Sequence, residues 1–309
     1  MTEELDPGLR ARYQASLEAG RRPVREGTVE SARAAIRQRT LSSPPGPEVD
    51  AVNDRVFRVG PAGEVPARVY EPAGLDGTIV FAHGGGWALG SAEDSDVFCR
   101  QLALAANARV VNVDYRLAPE HPFPAGLEDL LAVAAEVLRR HPDEPVAIAG
   151  ESAGGNLATV VARRLRDAGT PVAAELLFFP NVEAEPIFPS VTRFDDPLYP
   201  LTGSDLPWYW DNYIPDPSRR SDPDASPLRA ELAGMPPTLL VLAGHDPLHD
   251  EGLAYAERLR EAGVHVQLIE FPAFPHAFTA LSGSYEPAAE AVRSVAAAFR
   301  RFLHPETPN

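Results

Sequence analysis

The sequence predicts an α/β fold in which helices cover both faces of a mostly parallel sheet. Short apolar runs alternate along the chain with segments of helical periodicity, which is typical of strand–helix–strand units. From Thr78 onward these runs are nearly continuous, as expected for strands buried on both faces. Strands are predicted at Asn53–Val59, Val65–Tyr70, Thr78–Ala82, Arg109–Val113, Val146–Ala149, Glu175–Phe179, Thr238–Ala243 and His265–Phe271. Helices are predicted between them at about Asp94–Ala106, Ala125–Arg140, Ala153–Arg166, Asp250–Ala262 and Pro287–Phe302.

Two segments lie outside this alternating body. The first forty residues have helical periodicity, and the segment Asn181–Pro237, rich in Pro, Asp and aromatic residues, is too long for an ordinary connection. We expect residues 1–309 to form a single domain, with a cap made by residues 1–45 and about 181–220. The first two strands are joined by the short connection Gly60–Glu64, which predicts an antiparallel hairpin at the sheet edge.

The composition limits the classes of partner and chemistry. The formal net charge is −16 at pH 7, and all 28 basic residues are Arg. A nucleic-acid surface needs clustered positive charge, so neither nucleic acid nor an anionic membrane is an expected partner. Without Lys, a Schiff-base or Ser–Lys mechanism is excluded. Cys99, the single cysteine, is interpreted as a small buried hydrophobe. Because no signal segment and no apolar run of ~18 residues is present, a cytoplasmic location is expected.

A glycine-rich turn between a strand and a helix contains the first candidate for chemistry. The string Gly150-Glu151-Ser152-Ala153-Gly154-Gly155 follows the predicted strand Val146–Ala149 and precedes a predicted helix. This is the G-x-S-x-G pattern in the strand–turn–helix setting of a nucleophile elbow. Such a turn places Ser152 at a helix N-terminus, whose dipole favours developing negative charge. The alternative is a tight turn that needs small residues and has no chemical role.

A second glycine-rich string, His83-Gly84-Gly85-Gly86-Trp87, directly follows the predicted strand Thr78–Ala82. A phosphate-binding loop is disfavoured, because no Lys follows and the G-x-G-x-x-G spacing is absent. Exposed backbone N–H groups in this loop fit an oxyanion hole, acting together with the N–H of Ala153. His83 itself is predicted to be structural.

Asp246 is the candidate carboxylate. It follows the predicted strand Thr238–Ala243 in the string Gly244-His245-Asp246-Pro247-Leu248. A side chain at the carboxyl end of such a strand points into the crevice where open α/β sheets bind ligands. The alternatives are that Asp246 is only a helix N-cap, or that Asp250 is the carboxylate instead.

His276 is the candidate base. It lies in a short apolar loop after the last predicted strand, which suits a neutral, partly desolvated imidazole. The chain order Ser152, Asp246, His276 is the order of the α/β-hydrolases. His245 and His249 flank Asp246, but no third ligand is apparent and no metal site is predicted.

Taken together, these strings closely resemble those of the bacterial hormone-sensitive-lipase-like esterases, the family IV carboxylesterases. The resemblance implies an eight-stranded α/β-hydrolase sheet, a helical cap and hydrolysis of short-acyl carboxylic esters without a cofactor. It assigns the oxyanion hole to Gly85, Gly86 and Ala153. The chain departs from the commonest family strings at Glu151, where Asp or Thr is usual, and at Ala277, where Gly is common. The matching strings are His83–Trp87, Asp114–Ala125, Gly150–Asn156, Ser226–Leu228, Asp246–Leu248 and His276–Phe278.

The predicted function is therefore that of a serine carboxylesterase acting on a small-molecule ester. Ser152 is the expected nucleophile, His276 the general base and Asp246 the residue that orients the imidazole. An amide hydrolase or acyltransferase with the same triad remains an alternative, and a non-catalytic receptor on the same fold is a less favoured one. A capped, small site disfavours long triglycerides, and Trp208 and Trp210 are expected to pack within the cap more than to contact substrate. The resemblance also makes a homodimer through a sheet edge plausible.

Overall fold

The computed structural model describes residues 3–303, and within them the chain forms an eight-stranded sheet. The strand order is β1-β2-β4-β3-β5-β6-β7-β8. The strands are β1 (Ala51–Phe57), β2 (Val65–Glu71), β3 (Thr78–Ala82), β4 (Arg109–Val113), β5 (Val146–Glu151), β6 (Glu175–Phe178), β7 (Thr238–His245) and β8 (Val266–Pro275). The predicted α/β fold and all eight predicted strands are confirmed.

All neighbouring strands run parallel except at β2, which is antiparallel to both β1 and β4. The predicted edge hairpin is thus confirmed, with Phe57 opposite Val65 where the two strands approach the turn. The central strands are buried over their whole length, as their unbroken apolar sequences predict.

Helices cover both faces of the sheet. The helices α3 and α9 pack on one face, and α4, α5 and α8 pack on the other. In α9 the buried positions Ala288, Val292, Val295 and Phe299 recur at helical spacing, so one stripe of the helix faces the sheet. The helices of the described chain are α1 (Pro7–Glu18), α2 (Val29–Ser42), α3 (Asp96–Ala106), α4 (Ala125–Arg140), α5 (Ala153–Asp167), α6 (Pro189–Arg193), α7 (Leu206–Tyr213), α8 (His249–Glu261) and α9 (Glu286–Leu303).

Strand β8 is longer than predicted, because it continues past Phe271 through two prolines to Pro275. Proline lacks the N–H that a central strand must donate on one side. Since β8 lies at the sheet edge and pairs with β7 alone, the missing donors cost little. The extension matters for the site, because it carries the chain to His276.

The N-terminal helices and the segment between β6 and β7 are joined by arginine contacts. Arg21 donates to the carbonyl oxygens of Pro197, Leu198 and Tyr199. Arg25 forms an ion pair with Asp205 at 2.9 Å. Both segments thus lie against one another near the carboxyl end of the sheet. Among residues 3–303, no helix is both long enough and apolar enough to cross a membrane.

Candidate active site

Four loops meet at the carboxyl end of the sheet. The loop after β3 carries the glycines, β5 leads to Ser152, β7 leads to Asp246 and β8 leads to His276. Because β3 and β5 are neighbours and β7 and β8 are neighbours, residues far apart in sequence converge at one edge of the sheet. The structure brings together every site residue that the sequence predicted.

Ser152 occupies the sharp turn between β5 and α5, with φ 55° and ψ −120°. A non-glycine residue in this region is strained by ~1–3 kcal/mol, and such strain is typical of a nucleophile elbow. The flanking glycines allow the turn to be tight. A Cβ at Gly150 would lie 2.1 Å from the Gly154 carbonyl oxygen, and one at Gly154 would lie 2.1 Å from the Ala82 carbonyl oxygen. The glycines are therefore needed for the close packing of the turn, as the alternative interpretation holds. The same turn also presents the Ser152 side chain at the carboxyl end of the sheet.

His276 bridges the other two polar side chains. Its Nε2 lies 2.9 Å from Ser152 Oγ, and its Nδ1 lies 2.7 Å from Asp246 Oδ2. A carboxylate can only accept, so Nδ1 carries the proton and Nε2 is free to accept from the serine hydroxyl. Asp246 is fully buried and His276 is 5% exposed, so water does not compete for the bond between them. The ring of Phe179 packs edge-on against the imidazole and fixes its plane.

Asp246 is held in place by a backbone N–H two residues further along the chain. Its Oδ1 accepts from the N–H of Leu248 at 2.8 Å, while Oδ2 accepts from His276. The N-cap position of α8 is Leu248, so Asp246 is not the helix cap of the alternative interpretation. Asp250 faces elsewhere, since its carboxylate accepts from the N–H of Ser190 and contacts His249.

The glycine loop exposes unused donors beside Ser152. Gly85 and Gly86 have φ of 121° and 58°, which favour glycine. Within residues 3–303, the N–H groups of Gly85 and Gly86 donate to no protein acceptor. The N–H of Ala153, at the first position of α5, has no acceptor within the helix. This set of donors is suited to an anion that develops next to Ser152 Oγ.

His83 and the segment that follows β4 support this loop from behind. His83 Nδ1 donates to the Gly84 carbonyl at 2.8 Å, and its ring stacks on Tyr115. The Tyr115 hydroxyl donates to the His83 carbonyl, and the N–H of Ala118 donates to the Trp87 carbonyl. The structural interpretation of His83 is thus consistent with its contacts.

Glu151 connects two of the four loops, a role that the sequence did not indicate. Its Oε2 accepts at 2.5 Å from Oγ1 of Thr279, which is three residues after His276. Its Oε1 lies 3.4 Å from the backbone nitrogen of Gly84. Glu151, one of the two residues at which this chain departs from the commonest family strings, therefore ties the histidine loop to the glycine loop. In the sequence, only the position of Glu151 directly before Ser152 could have indicated this role.

A cavity of about 1140 Å³ opens above Ser152 and is lined by α1, α2 and α7 as well as by the glycine loop. It is larger than the small site expected from the sequence, because α1 and α2 form one wall of it instead of closing it. Tyr209 covers the glycine loop so closely that a Cβ at Gly86 would lie 1.9 Å from its ring. The sequence singled out Trp208 and Trp210 but missed this tyrosine between them.

The two tryptophans have different surroundings. Trp210 is 2% exposed and packs its ring 4.5 Å from that of Trp87, although it also borders the cavity. Trp208 packs against Tyr209 and a small apolar cluster that includes Leu89. Packing is therefore the main role that the contacts of both indole rings support.

The histidines beside Asp246 are engaged in other contacts. His245 lies against Tyr199 and the Glu3 carbonyl, and His249 contacts Asp250 and Glu270. No group of three or more His, Cys, Asp or Glu side chains in residues 3–303 is arranged to hold a metal ion.

The comparisons with known proteins agree with this geometry. The family model of the alpha/beta hydrolase fold matches residues 79–280, well over half of the chain. The chain is an α/β hydrolase. Its resemblance to the hormone-sensitive-lipase-like esterases is confirmed by relatives and solved structures alike.

Two relatives and one crystal structure illustrate the family. The chain is 40% identical to the carboxylic ester hydrolase LipN of Mycobacterium tuberculosis, over 76% of this chain and 66% of LipN. It is 34% identical to an ethyl acetate hydrolase of Pseudomonas putida, over 83% of this chain and 84% of that protein. The crystal structure of a thermostable esterase from Pseudomonas putida superposes with a TM-score of 0.92 at 31% identity, covering 99% of this chain and 100% of that one.

Proposed function

We propose that the protein hydrolyses short-acyl carboxylic esters through an acyl-enzyme formed on Ser152. That it is a carboxylic ester hydrolase follows from its family and from relatives named as esterases at 34–40% identity. The observation that carries the mechanism is the unbroken hydrogen-bonded chain from Ser152 through His276 to Asp246.

In the first half of the proposed reaction, Ser152 Oγ attacks the ester carbonyl carbon. His276 Nε2 takes the hydroxyl proton, and the carbonyl oxygen becomes an oxyanion that accepts from the N–H groups of Gly85, Gly86 and Ala153. The intermediate collapses when His276 returns the proton to the leaving alcohol oxygen. The products are the free alcohol and an ester of Ser152.

In the second half, water takes the place of the alcohol. His276 Nε2 removes a proton from the water as it attacks the acyl carbon, and then protonates Ser152 Oγ as the acid leaves. Throughout, Asp246 holds the Nδ1–H and stabilises the imidazolium that forms in each half. The reaction needs no redox step, so the residues on the chain suffice and no cofactor is proposed.

The preference for short acyl groups has local support. Tyr209 lies over Gly86 and Phe179 lies beside His276, so bulky rings border the space around Ser152 Oγ. The relative named ethyl acetate hydrolase fits the same preference. We further infer that residues up to 45 and about 181–220 act together as the cap, since Arg21 and Arg25, which lie between α1 and α2, contact the second segment.

Turnover of 4-nitrophenyl esters from acetate to palmitate tests this proposal. We expect rapid hydrolysis of the shortest esters and a decline as the acyl chain lengthens. Ser152→Ala should lower kcat by at least ~10³-fold, because the residual rate comes only from the oxyanion donors and binding. Ser294→Ala, an exposed serine on α9, is the matched control and should retain full activity. An active Ser152→Ala protein would exclude this serine as nucleophile, and equal rates across the series would exclude the short-acyl preference.

A further inference from the structure

Four arginines line the part of the cavity formed by the N-terminal helices. Arg12 belongs to α1, Arg21 and Arg22 follow α1, and Arg39 belongs to the last turns of α2. Tyr13 lines the same region. The chain as a whole has a net charge of −16, so four arginines in one part of a cavity are a local excess of positive charge.

None of these four guanidinium groups forms an ion pair within residues 3–303, although the nearby charge of Asp205 acts on Arg21. Arg12 and Arg21 donate to uncharged carbonyl oxygens, and neither Arg22 nor Arg39 has a carboxylate within ion-pair distance. Glu26, which also lines the cavity, pairs with none of them. By contrast, Arg25 and Arg33 of the same segment, which lie outside this cavity, are paired with Asp205 and Glu120.

Arg21 is partly withdrawn from water, whereas Arg12, Arg22 and Arg39 are exposed. The Nε of Arg21 is buried and has no hydrogen-bond partner, although both of its Nη atoms are engaged. Burial raises the pKa of Tyr13 to about 12, while the nearby charges of Arg21, Arg39 and Arg12 oppose that rise. A cationic cluster without paired carboxylates attracts an anion, and because Arg12, Arg22 and Arg39 are exposed the interaction has the strength typical of charges near a protein surface.

Asp94 and Asp96, two further acidic residues of the lining, are bound to other residues. Asp96 is paired with Arg68 and Arg100. Asp94 accepts from Ser91 and Thr40. Asp94 and Asp96 therefore do not pair with the four arginines.

We propose that Arg12, Arg21, Arg22 and Arg39, together with the Tyr13 hydroxyl, form an anion subsite for a carboxylate that the ester substrate carries away from the scissile bond. The inference rests on the proposed esterase function, because the subsite and Ser152 share one cavity. Without such a subsite, the acidic chain and Glu151 beside Ser152 would repel an anionic ester. The substrate class is thus a half-ester of a dicarboxylic acid or the ester of a hydroxy acid.

Matched esters test the subsite. On the acyl side, the substrates are the 4-nitrophenyl half-esters of succinic, glutaric and adipic acid. Each is compared with the same 4-nitrophenyl ester in which the remote carboxylate is replaced by a neutral primary amide. On the alcohol side, acetyl esters of 4-hydroxybutyrate and 6-hydroxyhexanoate are compared with their amides. We expect kcat/KM for the anion to exceed that for its amide on at least one side. In the double variant Arg22→Gln/Arg39→Gln this ratio should fall by ~5-fold at low salt, as expected from the loss of ~1 kcal/mol of charge interaction.

The control is Arg37→Gln, an exposed arginine of α2 that does not line this cavity. The ratio should stay within twofold in this variant. In the wild-type protein the ratio should decrease as the salt concentration rises, because exposed charges are screened. The proposal is overturned if neither series prefers the anion, or if Arg37→Gln lowers the ratio as much as the double variant. In that case, cleavage of the ester bond in the neutral, amide-bearing esters by the wild-type protein would still support the esterase function. The two failures are therefore distinguishable.

Discussion

Asp246 and Asp250 are four residues apart, yet their environments give them different roles. Asp246 is fully buried, and its two oxygens accept from His276 and from the N–H of Leu248. Asp250 contacts Ser190, His249 and Arg193 at the start of α8. A carboxylate orients an imidazole only through direct contact with Nδ1, so the geometry supports Asp246 in that role.

Asp246→Asn is expected to lower kcat for a short 4-nitrophenyl ester by on the order of 10³–10⁴-fold. The amide can donate to Nδ1, which stabilises the tautomer whose Nε2 carries the proton and cannot accept from Ser152. Asp250→Asn is the matched control, with kcat expected within a few-fold of wild type. Similar losses in both variants, with unchanged thermal unfolding, would mean that the imidazole is oriented by something other than Asp246.

At the scale of elements, the position of Ser152 depends on how closely α5 approaches the end of β3. A Cβ on Gly154 would meet the carbonyl oxygens of Ala82 at 2.1 Å and of His83 at 2.5 Å. These are backbone atoms and cannot move without moving the strand. The helical Gly252 of α8 differs, because a Cβ there would meet the side chain of Leu242, which can change rotamer.

We therefore expect Gly154→Ala to force α5 away from β3. The free energy of unfolding should fall by ~1–3 kcal/mol or more, and most of the activity should be lost. Gly252→Ala should be much milder, since the helix propensity of Ala offsets the repacking of Leu242 by ~1 kcal/mol. Thermal unfolding and ester hydrolysis measured on both variants decide the matter. Equal stability of the two variants would show that the turn can relax around an added methyl group.

The elements also show which features a sequence can predict. The strands β3 and β6 are continuous apolar runs, and the turn at Ser152 has a local glycine pattern, so both were predictable from neighbouring residues. The contact of Tyr209 with Gly86 and the bond from Thr279 to Glu151 join residues more than a hundred positions apart. No local periodicity reports such contacts, because they depend on how the inserted segment and the loops pack on the finished sheet. The predicted division into domain and cap likewise stays a prediction.

For the whole molecule, the stability of the fold is linked to the protonation of a buried carboxyl at the other end of the sheet. Glu175 begins β6 and is fully buried. Its Oε2 accepts from Thr238 Oγ1 at 3.0 Å, but its Oε1 has no hydrogen-bond partner and it forms no ion pair within residues 3–303. Burial raises the pKa of Glu175 from 4.5 to about 8, against the smaller opposing effect of the nearby Thr159 and Thr238 hydroxyl groups. The folded protein therefore holds this carboxyl in its neutral form below about pH 8.

This linkage predicts that the free energy of unfolding falls as the pH rises. Between pH 4.5 and about 8 the unfolded chain has lost the proton of Glu175 while the folded chain retains it, so unfolding releases a proton. The stabilisation is complete below the unfolded pKa, is lost by ~1.4 kcal/mol per pH unit across this window, and changes no further above the folded pKa. Glu175→Gln keeps a neutral side chain at every pH and should remove this slope.

Urea unfolding of wild type and Glu175→Gln at pH 5, 6.5 and 8 measures the difference directly. Since other groups contribute equally to both proteins, the difference in unfolding free energy isolates Glu175. From pH 5 to pH 8, the unfolding free energy of the variant should rise by several kcal/mol relative to that of wild type. Glu257→Gln, an exposed carboxylate on α8, serves as the control and should run parallel to wild type. A constant difference between Glu175→Gln and wild type at all three pH values would show that Glu175 is ionised in the folded protein, and that the buried end of β6 admits a charge.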